Sequence, residues 1–259
     1  MVMSELEPRR YAAPALEKGL DILELLTEQT DGLAQSEVAR RLGRTPSEIF
    51  RMLNCLERRG FLHRSPIDDL YRLTARMFEL SHRHPPTKRL LDSALPVMRR
   101  LTADIKQSCH LVVPHDTDAL VVAQVDGPGF IGFAVRVGSR AALNDSCSGK
   151  VLLAHLDDER REMLLARVGL AVGRPGREEL LADLAGIRER GFELRESSMT
   201  SGIVDVGAPV LDHRADALAS LTIPCIRKVG DTTSVEETSE RVRTAAAEVT
   251  ALLGGTTTP

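Results

Sequence analysis

The segment Thr45-Pro46-Ser47-Glu48-Ile49-Phe50-Arg51-Met52-Leu53 constrains the fold more than any other part of the chain. Thr45 with Glu48 three residues on is a capping box, in which each side chain satisfies the other's backbone N–H. Pro46 then falls at the first helical position, where its missing N–H costs nothing. Ile49, Met52, Leu53 and Leu56 recur at helical spacing and mark a buried stripe. Ser47, Phe50, Arg51, Asn54 and Arg58 take the opposite face, and Gly60 supplies the stop. Such a helix, with a second helix just upstream, fits a DNA major groove.

The flanking residues complete the unit. Leu16, Leu20, Ile22, Leu23 and Leu26 mark an amphipathic helix ending near Gln29, and a second helix runs from about Gln35 to Leu42. Gly43-Arg44-Thr45 is a tight turn between helices. After Gly60, Phe61–Arg64 and Leu70–Leu73 read as two short strands around the tip Ser65-Pro66-Ile67-Asp68-Asp69. Three helices and a hairpin, in this order, predict a winged helix-turn-helix over residues 16–73.

Charge points the same way. Arg40, Arg41, Arg44, Arg51, Arg58, Arg59 and Arg64 face only Glu48 and Glu57 in this window, which therefore carries +5 in a chain of net charge −3. A basic island in an acidic protein is a local phosphate-binding footprint, although basic runs also occur as plain solvated helix faces. The reading assigns phosphates to Arg40, Arg44, Arg58, Arg64 and Arg72, and base edges to Ser47, Phe50 and Arg51.

The 259 residues suffice for two domains. No run approaches the roughly 18 apolar residues of a membrane span. The polar, charged start, Met1 to Arg10, is unlike a secretory signal. Cys55, Cys109, Cys147 and Cys225 are scattered, as free thiols in a reducing cytoplasm would be. Flexible ends are expected over 1–15 and 255–259. The double proline Pro85-Pro86 marks a boundary, so residues 74–89, with a helix over Thr74–Leu80, read as a linker. The apolar Met77, Phe78 and Leu80 on that helix suit a dimer contact.

From residue 90 to 254 the pattern is that of an α+β domain. A long helix from Leu90 tolerates Pro96, and strands are expected at His110–Val113, Leu120–Val125 and Phe130–Val137. Helices follow at Gly149–His155, Asp157–Val168 and Arg177–Arg190, then strands at Phe192–Glu196, Val204–Val210 and Leu218–Ile223. A last helix is expected from a capping box at Thr233/Glu236 to about Leu253.

Asn144-Asp145-Ser146-Cys147-Ser148-Gly149-Lys150 is a polar loop feeding a helix. A helix start offers N–H groups and partial positive charge to a carboxylate, and would bias Cys147 towards thiolate. Plain N-capping by Ser146 is the commoner role of such a motif. Asp205 interrupts an apolar strand, so it faces either water or a pocket, which Thr222 and Arg136 would share by strand order. Phe130 and Phe133 are the only aromatics near such a pocket, which argues against a large flat ligand.

The chain resembles the IclR family of bacterial transcription regulators from about Leu16 to Leu253. The resemblance rests on Leu16-Glu17-Lys18-Gly19-Leu20-Asp21-Ile22-Leu23, Ser36-Glu37-Val38-Ala39-Arg40-Arg41-Leu42-Gly43, Tyr71-Arg72-Leu73, Gly149-Lys150-Val151-Leu152-Leu153-Ala154 and Ala208-Pro209-Val210, in that order and spacing. It implies dimers or tetramers on palindromic operator DNA and a GAF-like C-terminal domain that binds a small effector. The implied pocket positions are Leu143, Ser146, Cys147, Asp205 and Thr222. Three departures stand out. Ala34 replaces a frequent Thr or Ser cap, Asp205 a frequent Cys, and Arg195 a frequent acid; Arg195 would favour an anion, and Asp205 a hydroxyl or amine.

The function expected is a sequence-specific DNA-binding regulator controlled by a small anionic metabolite, a carboxylate, with no cofactor. A metal- or thiol-responsive regulator using Cys109, Cys147 and Cys225, with Cys109, His110, Cys147, Asp205 or Cys225 as candidate metal ligands, is the alternative. An enzyme is the remote one: the histidines sit on different elements without a nucleophile motif, and Ser146 and Lys150 do not have Ser-x-x-Lys spacing.

Overall fold

The computed structural model describes residues 13–129, 132–226 and 234–256. The chain divides into two compact units at Lys88/Arg89.

The first unit contains α1 (Pro14–Thr27), α2 (Gln35–Arg41), α3 (Pro46–Arg58), the strands β1 (Leu62–Arg64) and β2 (Tyr71–Leu73), and α4 (Arg76–Arg83). The capping box forms as the sequence requires: Glu48 N–H donates to the Thr45 hydroxyl (3.4 Å) and Thr45 N–H donates to the Glu48 carboxylate (3.0 Å). Lys18 of α1 donates to the same carboxylate at 2.8 Å and ties α1 to the start of α3. At the other end, Phe61 N–H reaches Leu56 O and Gly60 N–H reaches Glu57 O, the paired bonds of a Schellman stop. They require the positive φ that Gly60 supplies, 77°. Ile22, Leu26, Val38, Ile49, Leu53, Leu62 and Tyr71 close one core between the three helices and the hairpin. Helix α2 starts at Ala34 without a side-chain cap.

Boundaries differ from expectation in two ways. Helix α1 already begins at Pro14, inside the end expected to be flexible; residues 1–12 lie outside the described residues. The prolines both stop one helix and start the next. His84 is extended, as a residue before proline prefers, and α5 (Pro85–Ile105) begins at once rather than at Leu90.

In the second unit, α5 precedes β3 (Cys109–His115), β4 (Asp118–Val125) and β5 (Arg140–Ala142). Then come α6 (Cys147–Ala154), α7 (Asp158–Arg167), α8 (Arg177–Arg190), β6 (Glu193–Glu196), β7 (Ile203–Leu211), β8 (Ala217–Ile226) and α9 (Val235–Leu252). The sheet is antiparallel with order β5-β4-β3-β8-β7-β6. Strand alternation sorts its side chains. Cys109, Leu111, Val206, Ala208, Ala219, Leu221 and Ile223 point into one core with α5 and α9. Their neighbours His110, Val112, Asp205, Gly207, Ser220 and Thr222 take the other face, on which Val112 packs with α6 and α8.

The strand expected over Phe130–Val137 is not there. Residues 132–137 form no strand, and residues 130 and 131 lie outside the described residues. The outer edge of β4 is already taken: Gly138 N–H and Ser139 O bond Val121, and Arg140–Ala142 pair with Asp118–Leu120. Helix α9 is capped by Ser234, whose hydroxyl accepts from Glu237 N–H, one residue beyond the expected box; Thr233 lies outside the described residues. The expected tail is partly tied down, since Gly255 N–H reaches Thr250 O and Thr256 N–H reaches Asp212 O. Residues 257–259 lie outside the described residues.

Candidate functional site

Two surfaces carry chemistry. The first is the outer face of α3, where Ser47, Phe50, Arg51, Asn54 and Arg58 are exposed around the buried Ile49 and Leu53. The eight residues expected to contact DNA divide by their ionic partners. Arg40 is paired with Glu37 at 2.6 Å, Arg64 with Asp69 at 2.6 Å and Arg72 with Asp68 at 2.5 Å. Arg64 also lies over the ring of Tyr71. The guanidiniums of Arg40 and Arg41 hold Glu37 down at about 2. Arg44, Arg51 and Arg58 have no acidic partner within ion-pair distance among the described residues. Arg51, Asn54 and Arg58 line one open groove with Cys55 and Glu57.

The second surface is internal. A cavity of about 290 Å³ lies on the polar face of the second unit's sheet, lined by His110, Val112, Ala119, Val121, Asp205, Thr222 and Pro224. Ser146, Cys147 and Ser148 at the start of α6 form a wall; residues 133–136 and 197–200 complete the enclosure. Most of the lining is apolar, with Val112, Ala119, Val121, Phe133 and Val135 among it; His110, Ser146, Ser148, Asp205 and Thr222 bring polar groups.

The start of α6 is built by close approach. A Cβ on Gly149 would sit 2.4 Å from Leu143 O and 2.7 Å from Ala142 O, so only glycine lets the incoming loop pack there. Ser146 does cap the helix, accepting from Gly149 N–H at 3.1 Å, and still lines the cavity. Ser148, Thr222 and Ser220 form a hydroxyl chain with separations of 2.9 and 3.1 Å. Gly207 faces the same space, where a Cβ would stand 3.1 Å from Cys147 Sγ and 3.2 Å from Thr222 Oγ1. Lys150 is committed elsewhere, to Asp183 of α8.

Of the expected pocket residues, Phe133, Arg136, Ser146, Cys147, Asp205 and Thr222 line the cavity, whereas Leu143 and Arg195 do not. Leu143 is buried in the core beside α6. Arg195 stands opposite Asp205 across β6 and β7 and lies 3.8 Å from Asp145. Burial pushes the Asp205 carboxyl up, against the opposing pull of the Ser197 hydroxyl and Arg195.

The thiolate expected at Cys147 is overturned. Complete burial, reinforced by Asp205 and Glu193, pushes this thiol well above its ordinary range, which outweighs the helix start. Cys109 is pushed up to about 12 by burial, on the opposite sheet face, and Cys225 packs against that same core. The three cysteines thus do not converge, and the metal- or thiol-responsive reading finds no support.

His110 and the 197–200 segment were not assigned to the pocket from sequence. The signal is there in retrospect: His110 sits between the apolar Cys109 and Leu111, at the period of two that also sets Ser220 and Thr222 apart from Ala219, Leu221 and Ile223. His110 is 7 % exposed, and burial holds its imidazole neutral, down at about 4.

Comparison with known proteins gives these two surfaces a context. The family model described as "IclR helix-turn-helix domain" matches residues 15–66, and that described as "Bacterial transcriptional regulator IclR C-terminal" matches residues 87–251. The chain belongs to the IclR family of bacterial transcriptional regulators. It is 31 % identical over 215 residues to the HTH-type transcriptional regulator BhcR of Paracoccus denitrificans, covering 81 % of this chain and 76 % of that one. It is 28 % identical over 250 residues to the acetate operon repressor of Salmonella typhimurium, covering 93 % and 90 %. A crystal structure of an IclR homologue from Microbacterium hydrocarbonoxydans, complexed with 4-hydroxybenzoate, superposes with a TM-score of 0.76. Its identity is 25 %, over 93 % of this chain and 99 % of that one. This IclR-family chain is therefore a DNA-binding transcription regulator with a ligand-binding C-terminal domain, and not an enzyme. No described helix is long and apolar enough to cross a membrane.

Proposed function

We propose that this regulator reads double-stranded operator DNA through α3 and is released or engaged by a small carboxylate in the 290 Å³ cavity. The observation that carries the reading is the polar part of that cavity's lining, where the first turn of α6 meets the linked hydroxyls of Ser148 and Thr222. Ser146 caps the helix and donates to Ala142 O at 2.7 Å. A helix start with hydroxyl donors receives an anion, and Arg136 and Arg140 on the same lining add positive charge. The 4-hydroxybenzoate complex of the homologue is a carboxylate complex and supports the same class.

On the DNA side, Arg51 reads a base edge with Ser47 and Phe50, while Arg44 and Arg58 hold phosphates. Arg40, Arg64 and Arg72 contribute after exchanging a carboxylate for a phosphate. Residues 16–73 form the DNA-binding body, 74–89 the linker and 90–254 the effector body. The regulator works in the cytoplasm as a homodimer or tetramer. Its dimer contact includes α4, whose Met77, Phe78 and Leu80 are 41, 63 and 42 % exposed. Repression, the sign named for the Salmonella typhimurium relative, is the sign assigned here.

The test is affinity capture of fragmented source genome on the purified protein, sequenced with and without added carboxylates. A short set of sites sharing a palindrome, depleted by one carboxylate, is expected. Uniform, salt-sensitive recovery without a shared site would overturn the reading of α3.

A further inference from the structure

We infer that His110 is the residue that selects the effector, and that the effector is a small carboxylate that also carries a hydroxyl group. The inference rests on the carboxylate reading above and adds the second polar group. His110 lines the cavity, yet its Nδ1 is buried without a hydrogen-bond partner. Directly opposite it, across β3 and β4, stands Gln124, whose Oε1 is likewise buried without a partner. The two orphans do not bond each other. On the other side, in register on β8, Thr222 has already committed its hydroxyl to Ser148 and Ser220. Gln124 has committed its Nε2 to Asp126, at 3.1 Å.

An unmade bond at a buried polar atom is costly, so a ligand that satisfies His110 Nδ1 is favoured. A hydroxyl can donate and accept at once, whereas a ketone only accepts. It therefore meets His110 Nδ1 whether that nitrogen carries a proton or a lone pair. The carboxylate of the same ligand then lies at the start of α6, beside the Thr222 and Ser148 hydroxyls, and its methyl or ring carbon packs against the apolar lining, Val121 included.

The test is calorimetric titration of the full chain with matched pairs, 4-hydroxybenzoate against benzoate and 3-hydroxybutyrate against butyrate, with 2-oxobutyrate and butylamine alongside. At least one hydroxy acid is expected to bind about tenfold tighter than its partner lacking the hydroxyl. His110→Leu is expected to bring that pair within about twofold, while His110→Asn, whose amide stands near the position of Nδ1, retains most of the preference. His110→Phe, which keeps a ring and removes both nitrogens, is expected to lose the preference likewise, and serves if His110→Leu does not fold. Equal binding within both pairs overturns the inference and leaves the carboxylate reading standing. So does a preference that survives unchanged in His110→Leu. Binding of butylamine alone, or of nothing in the panel, overturns both.

Discussion

Helices α3 and α6 begin alike and end up doing different things. Each starts with a hydroxyl that accepts from the backbone N–H three residues on, Thr45 from Glu48 and Ser146 from Gly149. In α3 the third residue is an acid that closes the box and pairs with Lys18, so the helix start is spent on its own stability and its outer face is left to act. In α6 that residue is a glycine with no side chain to return the bond. The loop packs down on it, and the first turn, buried, is turned to a cavity. A cap is a local fact; whether the helix start binds anything is decided by what the third residue permits around it.

The largest effect should come from breaking the α6 arrangement. Gly149→Ala places a Cβ into two carbonyls and should destabilise the second unit by about 3 kcal/mol, the upper part of the usual overpacking range. A urea midpoint read by far-UV circular dichroism measures it; a loss below about 1 kcal/mol would mean that the loop at Ala142–Leu143 yields.

Next comes the working face of α3. Arg51→Ala should cost about 1–3 kcal/mol at one operator base and relax specificity there, whereas Arg58→Ala should weaken all sequences alike and lower the salt slope by about one. Binding isotherms on single-base operator variants at several salt concentrations separate the two. Equal loss on every variant for Arg51→Ala would make it a phosphate contact.

Removing the caps should cost less. Thr45→Ala and Ser146→Ala each lose about 1 kcal/mol of stability. Only Ser146→Ala should also weaken carboxylate binding, since Ser146 lines the cavity and Thr45 does not. Melting curves paired with calorimetry test this, and intact binding in Ser146→Ala would leave its hydroxyl a cap alone.

The smallest effects are those of pH, and they come in separate windows. His110 is held neutral down to about 4, so the unfolded chain binds its proton first; stability is full above about 6.5 and falls as pH drops towards 4. Burial shifts His155 in the same direction and adds to the same window. Glu48 is held down at about 2 by Lys18 and Thr45, so its contribution is present above about 4.5 and lost only as pH falls towards 2. The His110 window should therefore open earlier in an acid titration than the Glu48 window. Within the second unit it is partly offset by Asp205 and Glu193, whose carboxyls burial raises and which gain stability as pH falls. Hydrogen exchange at pH 5 and pH 3 reads the order, and Glu48→Gln should flatten only the lower window.

The first unit was legible because its signals are local. Thr45, Glu48 and Pro46 are neighbours in sequence, and Gly60 closes the same helix through a hydrogen bond to Glu57 O, three residues back. The α+β character of the second unit was legible for the same reason, through the periods of its strands and helices. What could not be read depends on which edge is free. Residues 132–137 have strand composition, but β5 already occupies the β4 edge. The burial of Cys147 is set by β6 and β7, from far along the chain, and this reverses what its helix start alone implies. Leu143 and Arg195 sit one step away from the cavity for a similar reason, since a family position names a neighbourhood and not a direction. The three ion pairs that engage Arg40, Arg64 and Arg72 were within reach of the sequence, because Glu37, Asp68 and Asp69 lie within five residues of their partners.

Those wing pairs carry a consequence for how the protein would find DNA. A hairpin whose arginines arrive already neutralised by Asp68 and Asp69 projects almost no long-range field. It neither draws the protein onto the duplex nor holds it on the wrong stretch. In the proposed mode the approach is set by Arg44, Arg51 and Arg58, and the wing engages only where groove shape brings phosphates close enough to displace its own carboxylates. Raising the ionic strength should therefore slow arrival far more than it speeds departure from a correct site.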